Sequence, residues 1–245
     1  MEFFLGINEP YWLAHCDFPL MVARQRLFRP GKQRRPLPVA RHRWVLDSGG
    51  FTQLHQHGRY PFTADQYASE IETLDDEVGN LAWASPMDWM CEEGALSQTG
   101  LTVGEHQRRT VTNFLDLRQR LGRLVIPVLQ GWEHDDYLRC SDLYQAAGVD
   151  LSQEPVVGLG SVCRRNATDD IVRIITSLGG LNLHAYGVKG QPLRQTHDLL
   201  VSADSMAWSY RARRGGRHPD CKHRRCNHCR KFAALWRENL LTTLR

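Results

Sequence analysis

Trp44-Val45-Leu46-Asp47-Ser48-Gly49-Gly50-Phe51 is a short apolar run that stops on an acid, a serine and two glycines. A strand buried on both faces of a parallel sheet reads this way, and the polar turn marks its C-terminal end. The same pattern recurs along the chain. Strands are predicted at Phe3–Ile7, Trp44–Leu46, Leu81–Ala84, Leu124–Leu129, Val156–Leu159, Leu183–Val188 and Leu199–Ser202, each bounded by Gly, Pro, Asp or Ser. Amphipathic stretches lie between them. Thr63 caps a predicted helix Ala64–Val78, with Gln66 placed for a reciprocal capping box. Further helices are expected over Thr102–Leu121, Asp135–Ala147, Asp169–Leu178 with Thr168 as cap, and Lys231–Leu244, three of them ending at glycine. Residues 24–43, rich in Arg and Pro, read as a long loop.

Strand–helix alternation implies parallel strands and an α/β fold. About seven such units in 245 residues predict a (β/α)8 TIM-type barrel with one poorly marked unit. The expected organisation is a single domain, 1–245, that includes a Cys/His segment at 218–229. A doubly wound sheet is the alternative. It is weakened because no GxGxxG or Walker-type loop follows the early strands.

In a barrel, chemistry collects at the C-terminal ends of the strands. Here those ends carry Asp47-Ser48-Gly49-Gly50-Phe51, Ser85-Pro86-Met87-Asp88-Trp89, Gln130-Gly131-Trp132, Gly158-Leu159-Gly160-Ser161, Tyr186-Gly187-Val188-Lys189-Gly190 and Ala203-Asp204-Ser205. One Asp after a strand is ordinarily a turn former. Three of them with a carboxamide and glycine-lined gaps suit a flat polar ligand. Paired carboxylates permit nucleophile and acid/base roles at a sugar carbon.

The net charge of +4 hides a segregation. Residues 20–46 hold eight Arg/Lys and no acid, and residues 205–245 hold eleven against Asp220 and Glu238, leaving the remainder at −13. Two basic segments on an acidic body suit a polyanion, or else two solvated loops. No stretch of about 18 apolar residues occurs, so no membrane span is expected. The N-terminus lacks a basic n-region, so no signal peptide is read and a cytoplasmic location is expected.

The odd cysteine count, seven, argues against a closed disulfide framework. Three of them cluster in His218-Pro-Asp-Cys221-Lys-His223-Arg-Arg-Cys226-Asn-His228-Cys229. Three thiolates and one imidazole satisfy tetrahedral zinc in a closed, structural site. His223 gives Cys-x-His-x2-Cys-x2-Cys and is the first choice for the fourth ligand; His218 is the alternative, and His228, adjacent to Cys229, is sterically least convenient.

The Asp47–Phe51 pentapeptide resembles the Asp-Ser-Gly-Gly-Phe motif of the tRNA-guanine transglycosylases. Gln130-Gly131, Gly158-Leu159-Gly160, Asp204 and the metal cluster follow in that family's order, so the resemblance runs from about Phe4 to Cys229. The chain is shorter than typical tRNA-acting members and shows no appended RNA-binding domain. His223 stands where a second Cys is usual, and no His follows His228. In these respects it looks like the phage or bacterial DpdA group, relatives that place 7-deazaguanines in DNA.

That resemblance implies base exchange at the barrel mouth. Asp204 would attack C1′ of a deoxyguanosine to form a glycosyl–aspartate, and Asp47 would act as general acid and base. Asp88 would accept from N1–H and the 2-amino group. Gln130 and Gly131, with the backbone at Gly158, Leu159 and Gly160, would bind the 6-oxo and 7-substituent side. Ser48, Gly49 and Phe51 would complete the base site, with Phe51 or Trp89 stacking on the base and Lys189 meeting a phosphate. The implied partners are flipped or single-stranded DNA and a 7-deazaguanine such as 7-cyano-7-deazaguanine (preQ0). Zinc is the implied cofactor, and the family often forms homodimers. A tRNA substrate and a non-catalytic zinc-containing nucleic-acid-binding protein are the alternatives.

Overall fold

The computed structural model describes residues 1–28, 36–162, 168–215 and 218–244. One sheet contains eight strands: β1 (Glu2–Ile7), β2 (Leu20–Ala23), β3 (Trp44–Asp47), β4 (Leu81–Ala84), β5 (Val128–Leu129), β6 (Val157–Leu159), β7 (Leu183–Ala185) and β8 (Leu200–Ser205). Every pairing in it is parallel. The hydrogen-bonded order β4-β3-β2-β1-β8-β7-β6-β5 is the chain order written on a circle and cut between β4 and β5. That cut is itself bridged: Ala84 pairs in parallel with Val125, and the Ile126 N–H donates to the Ala84 carbonyl at 3.2 Å. The sheet thus curls into the expected (β/α)8 barrel, with all strand C-termini at one mouth.

Helices α1 (Arg24–Leu27), α2 (Gly50–His57), α3 (Ala64–Val78), α4 (Glu93–Thr99), α5 (Val103–Leu121), α6 (His134–Ala146), α7 (Thr168–Ser177), α8 (Gly190–Thr196), α9 (Ala207–Gly215) and α10 (Arg230–Thr242) fill the connections. At α3 the reciprocal capping box forms. Thr63 Oγ1 accepts from the Gln66 N–H at 3.2 Å, and Gln66 Oε1 accepts from the Thr63 N–H at 3.0 Å. No helix among the described residues is long and apolar enough to cross a membrane.

Alternation along the strands builds two cores. Phe4, Met21, Val45, Trp83, Ile126 and Val128 fill the barrel interior, with Phe4 and Trp83 edge to face at 5.8 Å. Between sheet and helices, Trp44, Ile71, Phe114, Tyr144 and Ile174 form part of one continuous apolar layer. α10 joins that layer through Trp236, whose ring lies 6.2 Å from Phe3.

The unit that the sequence marks poorly is β2, only four apolar residues between Pro19 and Arg24. Of the loop read over 24–43, residues 24–27 form α1, residues 29–35 lie outside the described part, and 36–43 contain no helix or strand. The strand expected over Leu124–Leu129 shrinks to Val128–Leu129, because Pro127 has no N–H for the ladder and Gly122–Leu124 forms a 3-10 turn. The last strand runs past Ser202 to Ser205, so Asp204 sits inside the ladder opposite Phe4 of β1.

Removing the Thr63 cap is expected to cost about 1 kcal/mol, and emptying the barrel interior by Phe4→Ala about 3–5 kcal/mol. Urea unfolding of the two variants checks this ordering.

Candidate active site

At the mouth lies a cavity of about 280 Å³, near the small end of the usual ligand-pocket range. Asp47, Asp88 and Asp204 all line it, together with Gln130, Gly160 and Phe51. Three separate strand ends and the loop after β4 therefore bring the predicted acids and amide together. Asp47 is the last residue of β3, Gln130 follows β5, and Asp204 lies near the end of β8.

Asp88 is held by both carboxylate oxygens. The Ser48 hydroxyl donates to Oδ1 at 2.9 Å, and Gln130 Nε2–H donates to Oδ2 at 2.6 Å. Gln130 is oriented in turn by the Ser161 hydroxyl, which donates to its Oε1 at 2.6 Å, while Ser161 Oγ accepts from the Cys91 N–H at 2.8 Å. Gln107 grips the Gln130 backbone carbonyl from behind at 2.8 Å. This chain fixes the amide's orientation, since flipping it would set the Gln130 carbonyl oxygen against the Asp88 carboxylate. Gly160 is required for the arrangement: a Cβ there would sit 2.2 Å from Gln130 Nε2. Gly49 serves the neighbouring turn with φ +80°, a left-handed conformation that suits glycine.

The carboxylates are not equivalent. Asp47 is raised to about 7, first by desolvation, then by the Asp88 charge, with Asp204 adding to it and the Gly49 backbone opposing. Asp88 is also raised by burial, but its hydrogen bonds from Ser48 and Gln130 pull against that. Asp204, 7 % exposed, accepts the Gly187 N–H on Oδ1 at 2.8 Å. An acid that titrates near neutrality beside a second carboxylate held by a backbone donor is the division of labour that acid/base plus nucleophilic chemistry needs.

Of the other predicted residues, Phe51 and Gly160 belong to the cavity wall and the rest fall around it. Ser48 acts through Asp88. Leu159 is buried in the layer between sheet and helices, and its carbonyl accepts from the Tyr186 N–H at 3.2 Å. Gly158 lies deeper in the barrel, against the Tyr186 ring and Val128, while Gly131 packs on Asp136 and Tyr137. The Gly160 N–H donates to the Leu129 carbonyl, and its own carbonyl accepts from the Tyr137 hydroxyl at 3.0 Å. Phe51 lines the cavity and stacks on His55 at 4.2 Å. Trp89 lies outside the cavity wall, under the Arg109 guanidinium at 4.5 Å, and Lys189 is exposed ahead of α8. Sequence reasoning missed Met21, Met90 and Met206, which line the cavity, and the linking role of Ser161. Met206 directly follows the Asp204-Ser205 pair, and that adjacency was the available signal.

The C-terminal cluster forms as a constellation. Donor atoms of Cys221, His223, Cys226 and Cys229 all lie within 4.8 Å of one another, and the three cysteines are buried. The other two histidines point elsewhere. His218 Nδ1 accepts from the Asp220 N–H at 3.3 Å, and His228 meets Glu9 at 2.7 Å. Three sulfurs and one imidazole with no opposing acid fit a tetrahedral borderline-soft cation such as zinc.

The two basic segments differ in structure. Arg24 is paired with Glu70 and lies over Phe62 at 3.6 Å, Arg41 pairs with Asp17, and Arg43 with Glu2. Arg29, Lys32, Arg34 and Arg35 lie outside the described residues. Arg26 is exposed, and beyond Asp204 so are Arg211, Arg213, Arg214, Lys222, Arg224, Arg225 and Arg230, while Lys231 pairs with Asp220.

The upward shift of Asp47 makes stability depend on pH. A carboxyl that holds its proton more tightly when folded weakens the fold as pH rises between its ordinary value of 3.8 and about 7. Asp47→Asn removes that loss. Urea melts are expected to show the variant gaining on the wild type at pH 8 relative to pH 5; a gain confined to pH 5 contradicts the assignment.

No curated protein matches the chain. A family model described as DpdA, DeoxyPurine in DNA protein A, matches residues 1–244. That match takes in the barrel, its three-carboxylate mouth and the Cys/His segment together, and the chain belongs to the DpdA family.

Proposed function

We propose that the protein is a DNA guanine transglycosylase that exchanges guanine in DNA for a 7-deazaguanine base. The observation that carries this reading is the placement of Asp47, Asp88, Asp204 and Gln130 in one small cavity at the barrel mouth. Family membership supports DNA as the substrate. The exposed arginines that follow Asp204 supply the positive surface that a phosphate backbone needs.

In this mechanism an Asp204 oxygen attacks C1′ as the C1′–N9 bond breaks, and the electron pair leaves on guanine. Asp47, titrating near 7, gives the departing base its proton. It then takes the N9 proton of the incoming base, whose nitrogen displaces Asp204 from C1′. Asp88 and Gln130 read the polar edge of the base. Each Asp88 oxygen keeps a lone-pair direction beyond those used by Ser48 and Gln130. A target base must leave the duplex stack to enter so small a mouth, so flipped or single-stranded guanosine is the form bound. The incoming base of choice is preQ0.

Cys221, His223, Cys226 and Cys229 would hold a structural zinc ion. Its contribution would be mechanical: Cys229 is the N-cap residue just before α10, and α10 braces β1 through Trp236 and Phe3.

Incubating wild-type protein with preQ0 and duplex DNA, single-stranded DNA or tRNA, then analysing nucleosides by mass spectrometry, tests the reaction. The expected outcome is 7-cyano-7-deazadeoxyguanosine from DNA, lost in Asp204→Asn; incorporation only into tRNA, or retained exchange in that variant, overturns it. Metal analysis should give close to one zinc per chain, and Cys226→Ser should lose the metal and lower the melting temperature.

A further inference from the structure

Directly beneath Asp204 the barrel interior holds a histidine to which the mechanism above gives no role. His184 of β7 is fully buried among aromatic rings, with centroids 6.0 Å from Phe4, 4.8 Å from Trp83 and 4.6 Å from Tyr186. Its placement is set by the backbone ladder. His184 pairs in register with Ser202 of β8, and Asp204 lies two residues further on, on the same face of that strand. His184 Nδ1 lies 2.8 Å from Ser202 Oγ. Its Nε2 is buried without a formed hydrogen bond, and lies 3.5 Å from Asp204 Oδ1.

We propose that His184 is a positioning residue for Asp204, an imidazole whose Nε2–H is aimed at Oδ1; this rests on Asp204 being the nucleophile. The tautomer follows from the neighbours. If Nδ1 carried the proton, the Nε2 lone pair would face a carboxylate oxygen across a dry 3.5 Å gap. With the Ser202 hydroxyl donating into Nδ1, the proton sits on Nε2 and the contact becomes attractive.

The Gly187 N–H already donates to Oδ1 at 2.8 Å. Two donors converging on one oxygen leave Oδ2 as the atom that bonds to C1′. In the first half-reaction Oδ2 forms that bond while N9 of guanine departs with its electron pair. In the second, N9 of the incoming base forms the bond to C1′, the C1′–Oδ2 bond breaks, and its electron pair returns to Asp204. His184 keeps its proton throughout. Its donor interacts more strongly with the carboxylate than with the ester, so it favours the second half-reaction, which frees the carboxylate, and opposes build-up of the ester.

The test compares His184→Asn, whose amide can reach the Nδ1 position but not Nε2, with His184→Gln, which restores a donor near Nε2. Labelled-base exchange into DNA, covalent protein–DNA adduct at steady state, and thermal melting are measured for both, beside wild type and Asp204→Asn. For His184→Asn the expected result is at least a roughly tenfold drop in kcat, a KM for the incoming base within about threefold, and a larger adduct fraction. His184→Gln should recover most of the rate. A purely structural role would lower melting and rate without raising the adduct. His184→Asn exchanging at the wild-type rate, or slowing with no adduct increase, overturns the proposal while active wild type and inactive Asp204→Asn leave the transglycosylase reading standing. No exchange by wild type removes both. If the asparagine variant fails to fold, nitrogen NMR of the His184 ring in the wild type decides: protonation at Nε2 supports the proposal, and protonation at Nδ1 overturns it.

Discussion

Three carboxylates share a cavity of about 280 Å³, and their mutual repulsion there is the constraint to which the surrounding structure answers. Each is handled differently. Asp88 is satisfied on both oxygens by Ser48 and Gln130. Asp47 is pushed up to about 7, so near neutrality it is divided between acid and base forms. Asp204 takes a backbone N–H from Gly187. Without this sorting, three ionised groups in one cavity would repel one another, and three neutral ones would offer no nucleophile.

The arrangement depends on backbone closure. A parallel barrel carries its strand ends to one mouth, and the bridge from Ala84 to Val125 completes the ring that sets their spacing. Around that ring buried polar groups are linked into chains, from the Cys91 backbone N–H through Ser161 and Gln130 to Asp88, and from Ser202 through His184 toward Asp204. Buried polar chains of this kind orient their members well only when each link is occupied, which is why Gly160, where any side chain would strike Gln130, is as much a part of the site as the acids.

The barrel was legible because its strands are short apolar runs stopped by polar turns, a local signal. The acids were legible because they sit where such runs stop. β2 was not, since four apolar residues beside a basic stretch carry too little periodicity. Asp204 was read as lying beyond its strand because Ser202 breaks the apolar run. That serine is instead a buried partner of His184, a relation that only the β7–β8 register reveals. The internal bracing of Gln130 was equally hidden, because its partners Ser161 and Gln107 belong to distant parts of the chain. Charge segregation was visible as a count, but not its use: among described residues of the first basic segment, Arg24, Arg41 and Arg43 pair with acids.

In the proposed exchange Asp204 carries the deoxyribose between departure of one base and arrival of the next. Trapping the protein on guanine-containing DNA, digesting the adduct and sequencing the modified peptide by mass spectrometry tests it most directly. A single deoxyribosyl attachment, on the Asp204 carboxylate, is expected. Attachment at Asp47 or Asp88, or turnover with no covalent species under conditions that exchange base, would contradict it.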